Sequence, residues 1–389
     1  MWYLNSCLPI SFVKESPPNV CVMKFSCHRE SFLQALSIVQ KAVGGTGVLP
    51  VLENILIVAE GQRIELSATN LEISITTTVS AKVINEGKTT IPAKTLVSWV
   101  KLAPGEEMEC TRLEGEKILF QASGTKTTLF GVSADEFPIL PIVEKEEVVT
   151  IEKKVFSQAL EQVVFCAAAS GTRPVLSGIL FIVEENTLTL VGTDSYRLSE
   201  KKLSLKKGVK NSTSCIIPAK TLLETERILL SEEEGDVEIT FSKHQVLLSF
   251  GTVKIISRII EGNFPNYQQI LPKGHHNEVR VFRQELIQTV RRVGIFAREN
   301  NNNIKLFSSG EELRVTTDAT EIGTEESVIS IKSTNGESAV ALNTQFLLDI
   351  LLVLKDPEIL LKFGEKLSPV TVCSEREEGL THIIMPLKI

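Results

Sequence analysis

The sequence has no uninterrupted apolar run approaching the roughly 20 residues that a membrane-spanning helix needs. It also has no C-x-x-C pair. Its seven cysteines, Cys7, Cys21, Cys27, Cys110, Cys166, Cys215 and Cys373, are odd in number and scattered, so they suggest neither a disulfide framework nor a zinc site. They read as reduced thiols of a cytosolic protein, which would leave the sequon Asn211-Ser212-Thr213 unused. Histidine is scarce: His28, His244, His275, His276 and His382. The pair His275-His276 follows Pro272 and Gly274 with no ligand spacing around it, and reads as a solvated loop.

The usual signatures of catalysis are missing too. There is no G-x-S-x-G elbow, no H-E-x-x-H helix and no G-x-x-x-x-G-K-[ST] phosphate loop. Gly124-Thr125-Lys126-Thr127 lacks the upstream glycine of such a loop and sits between strand-like runs, as a hairpin turn would. Glu232-Glu233-Glu234 is a charge run after a helix, the pattern of a solvated turn. Asp194 with Arg197 lies on a tight turn after a strand, where an aspartate bonds its own backbone. No catalytic residue, metal ligand set or cofactor motif emerges, so the chain reads as a binding or assembly protein.

What is present is repetition. The chain has 389 residues, 43% apolar and 23% charged, enough for two or three domains with separate cores. Strand-like runs end on an apolar or aromatic residue followed by proline in three places: ADEFPILP to Pro141, SRIIEGNFPNYQQILP to Pro272, and IIMPLKI at Ile389. Proline cannot continue a central ladder, so each marks the end of a sheet unit. Ile91-Pro-Ala-Lys-Thr-Leu96 returns letter for letter at Ile217 to Leu222, an offset of 126 residues. Thr69-Asn-Leu-Glu and Thr193-Asp-Ser-Tyr are offset by 124, as are Pro50 and Pro174, and Thr317-Asp318 lies another 124 on. One offset shared by several motifs marks an internal repeat.

Each copy reads alike. MKFSCHRESFLQALSIVQKAV gives a strand and a helix with Phe32, Leu36, Val39 and Val43 on one face. Two apolar strands joined at Glu60-Gly61-Gln62 follow, then TTIPAKTLVSWVKLA as a strand into a second helix with Pro92 near its first position. The expected architecture is α+β: three modules of about 120 residues, each with two helices against antiparallel sheet. Expected bounds are 23–145, 146–272 and 273–389. Residues 1–22 show no periodicity and no basic segment before the apolar part; they read as an alternative start or a disordered leader before Met23.

Taken together, MKF at Met23, LPVLENIL, TNLE, TDSYRL, SRIIEGNFPNYQQILP and the terminal MPLKI resemble the bacterial sliding clamp, the beta subunit of DNA polymerase III. The resemblance covers Met23 to Ile389. It implies a head-to-tail homodimer closed as a ring of six clamp modules around duplex DNA. With twelve helices lining the hole at roughly 8–10 Å spacing, the ring of helix axes is about 30–40 Å across, loose enough to slide without reading bases. Implied partners are the catalytic subunit of the replicative polymerase, the clamp loader and other clamp-binding replication and repair proteins, in the bacterial cytoplasm and away from membrane. A formal net charge of −7 suits a ring whose outside repels DNA.

The resemblance also implies sites. A pocket for a short apolar-anchored peptide falls on Leu176, Thr193, Ser195, Tyr196, Arg197, Leu198, Pro265, Gln269 and Ile270, then Leu367, Ile384, Met385, Pro386 and Leu387. Many of these could equally be core between modules. Gln269 stands where some members carry arginine, and Ser195-Tyr196 replaces a common glycine-histidine pair, which implies a less basic, differently shaped edge. Helical placement gives Lys41, Lys94, Lys101, Lys220, Arg227, Arg291 and Arg292 as channel candidates, each open to the alternative of an ordinary solvated base. Ile295 and Phe296 match apolar positions of the dimer contact, or else pack on their own sheet. The competing function is a monomeric repeat scaffold that binds proteins and never encircles DNA.

Overall fold

The computed structural model describes residues 23–45, 47, 49–144, 147–169, 173–230, 234–333, 336–365 and 367–387; the leader, residues 145–146 and Glu232-Glu233 lie outside them. Contacts divide the described chain into two units, residues 23–68 with 77–138, and residues 69–76 with 139–387.

In the first unit the strand Lys24–His28 runs straight into helix α1 (Arg29–Val39). Phe32, Ala35, Leu36, Ile38 and Val39 are buried, the stripe that a 3.6-residue period requires. Val43 does not extend that stripe as expected. The helix stops at Val39, a 3-10 turn covers Gln40–Ala42, and Val43 is already extended. Helix α2 (Ala93–Leu102) buries Ala93, Leu96 and Val100. Pro92 closes the preceding strand and is the residue before the helix, where the N–H it lacks would have no intrahelical partner.

A five-stranded antiparallel sheet runs in the order Lys82–Asn85, Lys24–His28, Glu107–Arg112, Lys117–Ala122, Thr125–Phe130. Its last two strands meet at Ser123-Gly124, with Gly124 at φ +81, so the Gly124–Thr127 stretch is a hairpin. Gly87–Pro92, Asn54–Glu60 and Arg63–Thr69 neighbour one another in a second sheet. Val132 N donates to Thr90 O at 3.3 Å, tying the chain after the last hairpin to the strand before α2.

The second unit carries helices α3 (Lys153–Val163), α4 (Ala219–Leu229), α5 (Arg283–Ala297) and α6 (Thr344–Val353). The α3 helix packs on α4, and α5 on α6. Asn343 caps α6, its Oδ1 accepting from Gln345 N and Phe346 N. Tying bonds matching Val132–Thr90 recur twice: Ile260 N donates to Ile216 O and Leu387 N to Ala341 O, both at 2.8 Å.

One antiparallel sheet of nine strands crosses this unit. Its order is Thr213–Pro218, Gly178–Glu184, Thr187–Thr193, Arg197–Ser204, Leu380–Ile384, Val370–Cys373, Glu358–Phe363, Asn277–Phe282, Lys332–Ser333. The join lies between Arg197–Ser204 and Leu380–Ile384, with Arg197 opposite Ile384, Leu198 opposite Ile383 and Ser199 opposite His382. The segment from Ile259 to His276 crosses this sheet. It bonds at Ile260 to Ile216, at the Tyr267 hydroxyl to Glu200 and at His276 to Phe363.

Glu147–Glu152, Asp236–Phe241, Gln245–Phe250 and Val253–Arg258 form further antiparallel pairs, and residues 73–76 add to the last of these. Glu326–Ser330, Glu312–Thr316, Asn303–Ser309 and Ser338–Asn343 form a four-stranded sheet under α5 and α6.

Candidate partner-binding site

The turn at Thr193-Asp194-Ser195-Tyr196-Arg197 is built by its own side chains. Thr193 Oγ1 donates to Arg197 O at 2.6 Å and accepts from Ser195 N at 3.2 Å. Asp194 Oδ1 accepts from Tyr196 N at 2.9 Å and Arg197 N at 3.0 Å, the bonding to its own backbone expected of it. The same scheme holds at Thr69-Asn70-Leu71-Glu72-Ile73, down to the third residue: φ is +73 at Leu71 and +79 at Ser195. The third copy departs from it, since Thr317 N donates to Glu325 O and the Asp318 carboxylate takes Lys305 Nζ at 2.5 Å.

Arg197 leaves this turn with three of its five N–H donors engaged. Nε donates to Asp194 Oδ2 at 3.0 Å, Nη1 to Asp349 Oδ2 at 2.5 Å and Nη2 to Phe165 O at 2.9 Å. Its guanidinium carbon lies over two rings, 4.6 Å from the Phe346 centroid and 5.3 Å from that of Phe165, within cation–π range. Burial disfavours its charge, but the Asp349 hydrogen bond and the carboxylates together hold its pKa above the usual arginine value. Tyr196, 62% exposed, stacks on the same Phe346 at 6.4 Å.

Beneath the stack lies a buried polar chain. Cys166 Sγ is 2.8 Å from Ser199 Oγ, which is 2.6 Å from His382 Nδ1, and the Phe165 ring lies 5.9 Å from the imidazole. Burial pushes the Cys166 thiol up to about 12 and the His382 imidazole down to about 3, because each charged form would lose its water. The opposite face of the strand pairs Leu198 with Ile383, Val191 and Tyr267 in an apolar cluster flanked by Phe264 and Leu271.

The structure brings some of the residues expected of the pocket together. Thr193 pairs with Leu198, Arg197 with Ile384, and Met385 N donates to Tyr196 O at 2.8 Å. Leu176, Thr193, Leu198 and Ile384 are buried, as core between strands would be. Ser195, Tyr196, Pro265, Gln269, Ile270 and Leu367 are exposed, and Met385, Pro386 and Leu387 are half-buried. Leu367 takes φ +67 on its turn. Two cavities flank the Ile259–Pro272 stretch. One of about 720 Å³ has Leu180, Cys215, His244 and Phe264 in its walls, and one of about 280 Å³ has Glu200, Leu271, Lys362 and Thr381.

Sequence reasoning missed Phe165, Phe346, Asp349, Ser199, His382 and Glu200. Phe346 and Asp349 lie three residues apart on a helix that reads simply as apolar, and only the fold sets them opposite Arg197. Among the channel candidates, Lys94, Lys101, Lys220, Arg227, Arg291 and Arg292 are exposed and Lys41 is half-buried in the 3-10 turn after α1. Arg227 pairs with Glu224 at 2.6 Å, and Arg292 reaches Ser327 at 3.3 Å and Glu325 at 3.8 Å. Ile295 is 56% exposed, whereas the Phe296 ring lies against the turn at Gly323. Among the described residues no group of three or more His, Cys, Asp or Glu is placed to hold a metal, and no helix is long and apolar enough to cross a membrane.

Comparison with known proteins identifies the architecture. Residues 23–141 match the family model of the DNA polymerase III beta subunit N-terminal domain, 150–266 that of its central domain, and 268–388 that of its C-terminal domain. The beta sliding clamp of Staphylococcus aureus is 28% identical over 377 residues, covering 94% of this chain and all of the relative. The crystal structure of the DNA polymerase sliding clamp from Bacillus subtilis superposes with a TM-score of 0.90 at 27% identity, covering 95% of this chain and all of that one. The DNA polymerase III subunit beta from Pseudomonas aeruginosa does so with 0.89 at 27% identity, covering 94% and 100%. The fold is therefore that of the DNA sliding clamps. Within that class, the chain belongs to the DNA polymerase III beta-subunit family.

Proposed function

We propose that two copies of this DNA sliding clamp close head to tail into a ring around duplex DNA and tether the replicative polymerase catalytic subunit to its template. The observation that carries this reading is the match to all three domains of the beta-subunit family across 23–388. Retention by closure needs few phosphate contacts, so it is weak at any one site, blind to sequence and compatible with sliding. A tethered polymerase stays near its primer end at high effective concentration, which is processivity in physical terms. The clamp contributes no chemistry of its own, and works in the bacterial cytoplasm.

Two module boundaries, near 145 and 272, go with this reading. So does the assignment of Lys41, Lys94, Lys101, Lys220, Arg227, Arg291 and Arg292 to the channel, and of Ile295 and Phe296 to the dimer contact. Polymerase, clamp loader and repair proteins would share one pocket around Tyr196, Pro265, Gln269, Ile270, Leu367, Met385, Pro386 and Leu387. Support for it comes from exposed Tyr196 on a turn bonded by its own side chains and from Met385, whose N donates to Tyr196 O; apolar anchors are the usual way of seating a short peptide.

The test is retention on nicked circular DNA after incubation with a matched loader and ATP, followed by cutting the circle. Retention that is lost on linearisation is the expected result. Failure of a proven loader to place dimeric protein on the circle would sink the ring and favour the repeat scaffold that binds proteins and never encircles DNA.

A further inference from the structure

We propose that Glu377 is a clasp that turns a pivot between α3 and α6 into a fixed crossing. Helix α3 and the strand Arg197–Ser204 lie in the stretch that matches the central domain, whereas α6 and residues 374–379 lie in the stretch that matches the C-terminal one. The nine-stranded sheet joins these halves through one pairing, Arg197–Ser204 with Leu380–Ile384. Adjacent strands tolerate a range of twist, so a single pairing sets the angle between halves loosely. The helices α3 and α6 also meet.

A first polar tie at that contact is Asp349 of α6, whose Oδ2 takes Arg197 Nη1 at 2.5 Å, while Arg197 Nη2 reaches Phe165 O just past α3. A second lies about 9 Å further along the direction of α6. There Glu377 Oε1 accepts from Lys355 N at 2.6 Å and Asp356 N at 3.3 Å, and Oε2 accepts from Gln162 Nε2 of α3 at 2.6 Å. One carboxylate therefore grips the chain leaving α6 and the side of α3. Glu161 reaches Lys355 Nζ beside it at 2.8 Å, but both side chains are partly exposed and such a pair adds little. One tie leaves two rods free to turn about it; a second, set apart from the first, fixes their angle.

Gln162 shows what the clasp demands. It is wholly buried, and a carboxylate only accepts, so its amide must turn Nε2 towards Glu377. That leaves Oε1 buried with no hydrogen-bond partner among the described residues. An apolar side chain would avoid this penalty, so what the glutamine gains is the link to Glu377. In a ring of two copies the fixed crossing would set curvature, and that consequence alone rests on the ring reading above.

Single-molecule fluorescence transfer on the full-length chain tests the clasp, with neither DNA nor loader, so its outcome is separate from the fate of the ring. Dyes are coupled to azidophenylalanine in place of exposed Lys154 of α3 and exposed Gln288 of α5, the helix packed on α6. The parent chain should give one narrow distribution of transfer efficiency. Glu377→Ala and Gln162→Leu should each broaden it, and the double variant no further, because both changes break the same link. Urea unfolding is the control: Gln162→Leu should unfold no earlier than the parent, since it removes the orphaned oxygen. An unchanged distribution in either single variant would overturn the proposal, as would further broadening in the double variant. Broadening in Gln162→Leu matched by an earlier urea midpoint would overturn it too, because it would mean general loosening and not a lost clasp.

Discussion

Acidification should expose the buried histidine. His382 is wholly buried, its Nδ1 meets Ser199 Oγ at 2.6 Å, and its Nε2 has no hydrogen-bond partner among the described residues. A proton there would create an uncompensated cation away from water, with Lys201 repelling it, so the folded pKa falls to about 3. In an unfolded chain the same group titrates near about 6.5. Between those values the unfolded chain takes up the proton and the folded chain does not. The contribution to stability is therefore complete above about pH 6.5 and is lost progressively as the pH falls towards 3. At pH 4.5 the gap of two pH units, at about 1.4 kcal/mol each, amounts to about 3 kcal/mol. The assay compares urea unfolding of the wild type and His382→Leu at pH 7.5 and pH 4.5, at one protein concentration because any self-association would shift apparent stability. Carboxylates titrate in both proteins, so the difference between the two losses isolates the imidazole. The variant starts about 1–2 kcal/mol less stable, since Ser199 loses a partner, but loses about 3 kcal/mol less on acidification. Equal losses in the two proteins would refute the assignment of a buried neutral imidazole.

Other substitutions should act through backbone and packing. Ser195→Gly relieves a side chain held at φ +79 and, after the extra freedom of the unfolded chain, should gain about 0.5–1 kcal/mol in urea unfolding. Tyr267→Phe leaves the Glu200 carboxylate, only 6% exposed, without its 2.8 Å hydroxyl donor and should cost about 1–3 kcal/mol; adding Glu200→Leu should recover most of it. Gly178→Ala places a methyl 2.6 Å from Ile216 Cγ2 and 2.8 Å from Ile217 O, so thermal unfolding should report a loss of about 1–3 kcal/mol.

The repeat was legible because each copy keeps its punctuation. Prolines end the sheet units, the IPAKTL sequence opens two helices, and Thr-Asn or Thr-Asp marks a turn that the structure builds twice with the same four side-chain bonds. Local chemistry of that kind acts within a few residues, so it survives in a linear reading. Val43 misled because its spacing fits a helix that in fact tightens and stops four residues earlier. The surroundings of Arg197 were not legible. Its partners Phe165 and Asp349 lie 32 and 152 residues away, and only the pairing of Arg197–Ser204 with Leu380–Ile384 gathers that neighbourhood. Buried Ser199 and His382 are likewise ordinary polar letters until a register sets them face to face.

The place of Leu380–Ile384 bears on how the protein is made. This last strand in chain order is the fifth of nine in its sheet. During synthesis, Arg197–Ser204 and Val370–Cys373 must wait with unpaired edges until it emerges. Exposed edges of that kind invite pairing with other chains, and contacts this distant in sequence form slowly. A transcript that stops before Leu380 would thus yield two half-sheets with complementary sticky borders rather than a slightly shortened clamp. Cells making such a fragment should find it in aggregates or in the grip of chaperones, while the first unit, whose strands all precede residue 139, could already be folded.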